Sequence, residues 1–324
     1  RRLQQGIHPE IEMSRFLLNK GFANTPKFLG MLEYVDSSGI SSALAVAHEY
    51  VINQGDGWDV TLRFLKALLE RRFDEDPLPI YAQYSRILGR RLAEMHSALL
   101  AARDDPAFAP EDVQADELRA WAEDIARSAS INLDLLQAVL PALGTEQANA
   151  SALVARREEL TQRIAEAARS ARPTVKTRIH GDFHLGQVLV VTEDVLIVDL
   201  EGETQLPFEL RRRKHAQLRD VAGMLRSFDY AAVHSLMSIG PERLEENADT
   251  FRADIERWRN EATHAFLSEY EAASGRRIDS DLLDLFTIAK ALYELGYELS
   301  NRPTWVQIPV RGLLSILDRV GARR

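Results

Sequence analysis

Four side chains between residues 182 and 201 offer the oxygen atoms that a divalent cation and a phosphate chain need: Asp182, Gln187, Asp199 and Glu201. Asp182 follows His180-Gly181, and Gln187 comes five residues later. Moving a phosphoryl group from a nucleotide to an alcohol requires one carboxylate that orients the attacking hydroxyl and can take its proton. It also requires oxygen ligands that hold one or two Mg²⁺ against the phosphates, where charge is otherwise uncompensated. One acidic residue at a strand end is ordinarily a solvated one. Four such donors in this order and spacing argue for a site.

The elements that must position them are legible from pattern. Val188–Val191 and Val195–Val198 are β-branched runs, and Thr192-Glu193-Asp194 between them reads as a hairpin turn. That hairpin brings the four donors to one end of a two-stranded ribbon. Thr174–Ile179 leads into the His180 loop as a strand. Upstream, Arg1–Gly6 reads as a strand end and its turn. Pro9 and Gly21 bracket a helix over Pro9–Lys20, with Glu10 and Glu12 in its first turn. Lys27–Tyr34 and Leu44–Val51 read as strands around a Ser/Gly turn. Helices follow over Trp58–Arg72 and Pro79–Ala102, the second with Tyr84, Ile87, Leu88, Leu92, Met95 and Leu99 at helical spacing. His96 joins that stripe and reads as a satisfied core histidine. Further helices are expected over Val113–Leu140, Thr145–Ser170 (largely solvent-facing), Gln217–His234, Arg252–Ser274 and Asp279–Ser300, with a short element from Pro303. Asp220 is placed to hydrogen-bond the His180 loop. The basic run Arg211–Lys214 reads either as a solvated helix start or as an anchor for phosphate or for the acidic loop.

Composition sets the bounds. The chain has 324 residues, 45% hydrophobic and 27% charged, ordinary for a globular protein with sizeable cores. It has no cysteine, which removes disulfides and thiolate metal sites and fits a reducing cytoplasm. Its net charge of -9 argues against non-specific nucleic-acid binding. No apolar run reaches bilayer length, and no signal-peptide pattern opens the chain, so no membrane partner is expected.

The donor pattern resembles that of protein kinases, in which a catalytic Asp and a metal-binding Asn are spaced D-x-x-x-x-N and a second Asp comes from D-F-G. Gln187 replaces the Asn, and Asp199-Leu200-Glu201 replaces D-F-G. Four blocks together resemble the maltokinases, within the kinase-like small-molecule phosphotransferases that include the aminoglycoside phosphotransferases. They are His180–Gln187, Asp199–Glu203, Leu218–Tyr230 and Lys290–Trp305. The first two place the chain among those kinases, and the last two are more specific to maltokinases.

The resemblance implies an α+β, bilobal protein-kinase-like fold. A truncated mixed N-lobe would span residues 1–57 and a mostly helical C-lobe residues 58–324. It implies ATP and Mg²⁺ as cofactors and phosphorylation of maltose at its anomeric hydroxyl, feeding trehalose-linked α-glucan synthesis. Asp182 would be the base, with His180 shaping the loop and reaching the sugar. Gln187, Asp199 and Glu201 would hold the metal. Either Glu10 or Glu12 would pair with an ATP-contacting lysine. Backbone groups of Glu49 and Val51 would meet the adenine. Tyr293 and Tyr297 lie four residues apart on one helix face; that face, with Trp305, is either packing or a platform for a sugar ring. Because Arg1 opens inside an apparent motif, the chain is expected to be a piece of something longer, with the lysine strand and the glycine-rich loop upstream and possible association with a trehalose synthase. The fragment alone is expected to be inactive. Leu200 for Phe and Thr204 for Pro depart from the family pattern without removing a catalytic group.

Two other readings stand beside this one. The same fold could phosphorylate an aminoglycoside or another sugar, or the chain could be a non-catalytic glycan-binding or scaffold module.

Overall fold

The computed structural model describes residues 5–321. The expected strand end over Arg1–Gln4 lies outside the described residues; Gln5 forms an isolated antiparallel bridge to Ser42.

The first helix, α1 (Pro9–Asn19), begins with proline at its first turn and ends where Gly21 takes φ +73°. Proline gives up a donor that the helix start would leave unused, and glycine accepts the left-handed conformation without a Cβ penalty. Met13 and Leu17 on α1 are fully buried, each contributing on the order of 1.5–3 kcal/mol. Next come β1 (Phe28–Val35) and β2 (Ser41–His48), paired antiparallel with Leu32 opposite Ala45. Leu29, Leu32, Leu44 and Val46 remain exposed on this two-stranded sheet.

Helix α2 (Gly57–Leu69) is capped by Asp56, whose carboxylate accepts from the Asp59 N–H at 2.8 Å. Helix α3 (Leu78–Leu100) buries the expected stripe, with Leu88, Leu92, Met95 and Leu99 at 1% exposure or less. A two-residue strand β3 (Glu111–Asp112) and helix α4 (Ala115–Val139) follow. The single helix expected over Thr145–Ser170 is instead α5 (Gln147–Ala155) and α6 (Arg157–Ser170). Arg156, at φ −96° and ψ 19°, breaks the run, and its guanidinium reaches both Glu159 and Asp318. Nor is α6 mainly solvent-facing: Leu160, Ile164 and Ala167 are buried, and Arg163 is held by Asp281 and Asp284.

Strand β4 (Val175–Thr177) leads into the segment that carries Asp182. The hairpin of β5 (Val188–Val191) and β6 (Asp194–Ile197) pairs Val188 with Ile197 and Val191 with Asp194. Glu193 supplies its turn at φ +59°. Helix α7 (Phe208–Arg211) and strand β7 (His215–Ala216) come next, and β7 pairs antiparallel with β4. Helix α8 is Leu218–Met237. Helix α9 (Pro241–Ser274) starts earlier than the expected Arg252, with a local break at Asn247. Helix α10 (Ser280–Asn301) is capped by Asp279, and α11 (Gln307–Gly321) is a helix the sequence pattern did not announce.

Two compact units divide these elements: Arg1–Glu111 with Val175–Asp220 and His234–Arg277, and Asp112–Thr174 with Val221–Val233 and Ile278–Arg324. The donors of interest lie in the first unit. There α3 meets α9 closely, because a Cβ on Gly89 would lie 2.3 Å from the Phe266 carbonyl oxygen. Among the described residues no helix is long and apolar enough to cross a membrane.

Candidate active site

The loop carrying Asp182 is fixed by its own backbone and by two neighbouring side chains. Asp220, at the start of α8, accepts the His180 N–H on one oxygen at 2.8 Å and the Gly181 N–H on the other at 2.9 Å. It also meets His96 Nε2 at 3.0 Å, and the other nitrogen of His96 meets the Tyr270 hydroxyl at 2.8 Å. Burial by itself would raise the Asp220 pKa. The hydrogen bond and charge of His96, with the loop amides, outweigh that and hold it below the usual carboxylate range. His96 is thus a satisfied buried histidine, as expected, but its partner is the residue that supports the loop carrying Asp182.

His180 shapes the loop, as expected, but its ring is turned to the backbone. Its side chain is buried. Nδ1 accepts the Asp182 N–H at 3.3 Å, and Nε2 donates to the Val198 carbonyl at 2.9 Å. Both ring nitrogens are therefore used on backbone, and none is left to touch a sugar. The ring ties the catalytic loop to the residue that precedes Asp199. His184, which the sequence reading passed over, accepts the Gly186 N–H at Nδ1, 3.1 Å away. Its other nitrogen lies 3.9 Å from Asp182 Oδ2. The spacing His180-Gly-Asp-Phe-His184 was the available signal for it.

Gln187 and Asp199 are brought together: the Gln187 side-chain N–H donates to Asp199 Oδ2 at 2.9 Å. Asp199 takes φ +60°, a left-handed backbone that Asp tolerates better than most side chains. Glu201 is largely buried and bonded to Arg211, 3.1 Å away, while Arg211 also donates to the carbonyls of Leu206 and Thr204. A hard cation such as Mg²⁺ keeps most of its waters and takes one or two protein oxygens. The Asp199 carboxylate and the Gln187 amide oxygen fit that demand. Glu201 shares its charge with Arg211 through Oε2. Among the described residues no three His, Asp or Glu side chains form a metal-holding group.

Glu10 and Glu12 have opposite environments. Glu12 is held by Arg178 and by a two-pronged contact from Arg212, at 2.6 and 2.8 Å. Burial pushes its pKa up, but the two guanidinia win and hold it below the ordinary range. That saturation leaves Glu12 nothing to offer a lysine, contrary to its candidacy as a nucleotide-side residue. Glu10 points the other way. Its Oε1 is 3.5 Å from His48 and accepts from the Ser14 hydroxyl at 3.4 Å, and its Oε2 is buried. Burial, then the charges of Asp199 and Glu201, outweigh a hydrogen bond from the Leu200 backbone and push its pKa up to about 7. A buried carboxylate set among other carboxylates is in the place where a cation is called for.

Glu10, Asp199 and Glu201 line one cavity of about 940 Å³ with His8, His48, Ala43, Ala45 and Arg211. Glu49 and Val51 do not line it; the Glu49 N–H donates to the Lys27 carbonyl at 2.8 Å, and the Val51 carbonyl accepts from Asn53 at 3.0 Å. The basic run acts as an anchor and not as a solvated helix start: Arg211 pairs with Glu201, Arg212 with Glu12 and Lys214 with Glu111.

Tyr293, Tyr297 and Trp305 belong to the second unit. The two tyrosines are 40% and 38% exposed, so neither is core. Arg302 lies over the Tyr297 and Trp305 rings, and Lys290 over Tyr293. Beneath them Arg226 bonds Glu294 and Asp229, and Glu298 accepts from the Tyr230 hydroxyl and from Arg302.

Comparison with known proteins adds three kinds of match. A family model described as the phosphotransferase enzyme family matches residues 3–202. A glucosamine kinase of Streptacidiphilus jiangxiensis is 27% identical over 316 residues, covering 95% of this chain and 65% of that protein. A glucosamine kinase of Mycolicibacterium smegmatis (strain ATCC 700084 / mc(2)155) is 25% identical over 318 residues, covering 98% of this chain and 73% of that protein. Among solved structures, crystal form B of a glucosamine kinase matches with a TM-score of 0.78 at 23% identity, over 98% of this chain and 71% of that one. A glucosamine kinase in complex with glucosamine, ADP and inorganic phosphate matches with a TM-score of 0.77 at 24% identity, over 98% and 70%. At such identities the structures establish the fold: kinase-like, α+β, with small sheets and mostly helices.

Proposed function

The chain belongs to the phosphotransferase enzyme family, and from that premise we propose that it is the phosphotransfer part of an ATP-dependent sugar kinase. The observation that carries this reading is the Gln187–Asp199 donor pair at 2.9 Å, with Asp199 on the same cavity as the buried carboxylate of Glu10. In this reading Mg²⁺, when bound, neutralises the phosphate oxygens, and Asp199 and Gln187 hold it. Glu10, not Glu12, receives the ATP-contacting lysine. The Glu49 carbonyl and the Val51 N–H meet the adenine edge.

Asp182 orients the acceptor hydroxyl and takes its proton as the phosphoryl group moves. The loop under it is held by His180 and Asp220, so positioning is set before substrate arrives. In the second unit, Tyr293, Tyr297 and Trp305 supply aromatic rings of the kind that stack on sugars. The expected division at residue 57 remains part of this reading, as a lobe boundary.

The acceptor we favour is glucosamine, because the relatives that cover nearly the whole chain bear that name. Maltose, implied by the Lys290–Trp305 block, is the second candidate. The chain spans 65% of one of those relatives, so the test uses the complete protein. It is given ATP and Mg²⁺ with glucosamine, maltose or an aminoglycoside, and ADP release is followed. Turnover of glucosamine above the others is the expected result. Turnover only with an aminoglycoside moves the protein to another acceptor class. No turnover with any acceptor, together with sugar binding unchanged in Asp182→Asn, supports the non-catalytic module instead.

A further inference from the structure

We propose that Glu12, Arg178 and Arg212 form a clamp that positions the active-site helix α1, making Glu12 a positioning residue for the kinase reaction and not a nucleotide contact. The inference rests on the kinase reading of the site.

The geometry has three parts. Glu12 takes Arg212 through a fork of two hydrogen bonds, 2.6 and 2.8 Å, and Arg178 through a third contact on Oε2. Forked guanidinium–carboxylate pairs fix orientation as well as distance. Arg178 is 2% exposed and lies over the Phe108 ring, which itself stacks on Phe16 of α1 at 3.9 Å between centroids. Arg178 therefore sits in a packed place, where removing Glu12 leaves its charge uncompensated, while Arg212 closes the cluster from its more exposed side.

The sequence positions give the cluster its meaning. Each member stands one or two residues from a group of the site. Glu12 is two residues after Glu10, Arg178 is two before His180, and Arg212 is next to Arg211, which holds Glu201. The clamp thus joins three backbones: the helix bearing Glu10, the segment entering the catalytic loop, and the helix following the metal segment. No other residue of α1 meets both other segments through charged contacts among the described residues. Holding these backbones in register sets the distance from Glu10 to Asp199, on which the closing of the nucleotide site depends. Glu10 and Glu12 are two apart, so they leave opposite sides of the helix. One carboxylate serves the chemistry and the other locks the helix that carries it.

The test uses the complete protein. Wild-type turnover is measured first, so that absence of any sugar-dependent ADP release counts against the kinase reading and not against the clamp. Arg212→Gln keeps the buried Arg178–Glu12 contact and is the milder variant; Glu12→Gln is the stronger. For both we expect KM for ATP to rise at least fivefold and kcat to fall at least fivefold, with KM for the sugar within twofold. Hydrogen exchange of the α1 amides should accelerate at least tenfold relative to α3. The double variant should be no worse than Glu12→Gln alone, because both act through one cluster. Folded variants with unchanged KM for ATP and unchanged α1 exchange overturn the proposal. So does a loss shared equally by ATP and sugar, which marks a merely structural role. Should Glu12→Gln not fold, Arg212→Gln decides, and the exchange comparison holds even without turnover.

Discussion

The side-chain amide of Gln187 donates to Asp199 Oδ2 at 2.9 Å, twelve residues further along the chain. The β5–β6 hairpin makes this possible by returning the chain to its starting end, where the Val198 N–H bonds the Gln187 carbonyl at 3.0 Å. Asp199 reaches the pair from a left-handed backbone. Asp199→Asn should therefore fold almost as well as the wild type, whereas Asp199→Ala should lose about 1 kcal/mol from backbone conformation alone. Both should lower turnover at least a hundredfold, because a cation loses its charged ligand. Urea unfolding and Mg²⁺ titration of turnover separate the two effects.

Asp182→Asn should leave the fold intact, since the residue's backbone N–H and not its side chain is what His180 holds. Removal of a general base costs roughly 10²–10⁴ in rate. We expect kcat to fall in that range with KM for ATP little changed. A fall of less than tenfold in the complete enzyme would remove Asp182 from the chemistry.

Glu10 gives a pH signature. Its pKa moves from 4.5 to about 7 on folding, so between those values the folded chain binds more protons than the unfolded chain. Stability contributed by this group is full at the acid end and is lost as pH rises through that window, on the order of 3 kcal/mol in all. Glu10→Gln mimics the protonated acid and removes the loss. Its stability relative to wild type should grow by that amount between pH 5 and pH 8, measured by urea unfolding of this chain. A difference that is flat with pH would show that folding does not raise the Glu10 pKa.

Asp220 carries the catalytic loop on both its oxygens. Asp220→Asn must turn an NH₂ group toward one of the two loop amides, orphaning a buried donor at about 1–3 kcal/mol. Turnover should fall at least tenfold with it. Tyr270→Phe removes only the outer end of the chain of contacts, about 1 kcal/mol. Gly89→Ala should cost more, about 1–3 kcal/mol, because the added methyl must push α3 from the α9 backbone that carries Tyr270. Melting curves of the three variants rank these effects.

The sequence alone determined the local half of the site. The spacing of Asp182 and Gln187, the β-branched hairpin that returns Asp199 to Gln187, the proline start of α1 and the apolar stripe of α3 are all short-range patterns. Backbone geometry turns each into one structure, and each was readable. What the tertiary structure decided is which long side chains meet. Glu12 and Arg212 are separated by 200 residues, and no periodicity or motif reports that pairing. It alone shows that Glu12 is saturated while Glu10 is not. The same holds for His180: the motif marks it as a loop-shaping residue, and only the fold shows its two ring nitrogens on the Asp182 and Val198 backbones. It holds for the run Arg211–Lys214, which looked like a solvated helix start or an anchor until its carboxylate partners were in view. Local spacing fixes where a group can point. Which charge it finds there depends on segments far away in the chain, because a buried ion is stable only beside the partner that folding delivers to it.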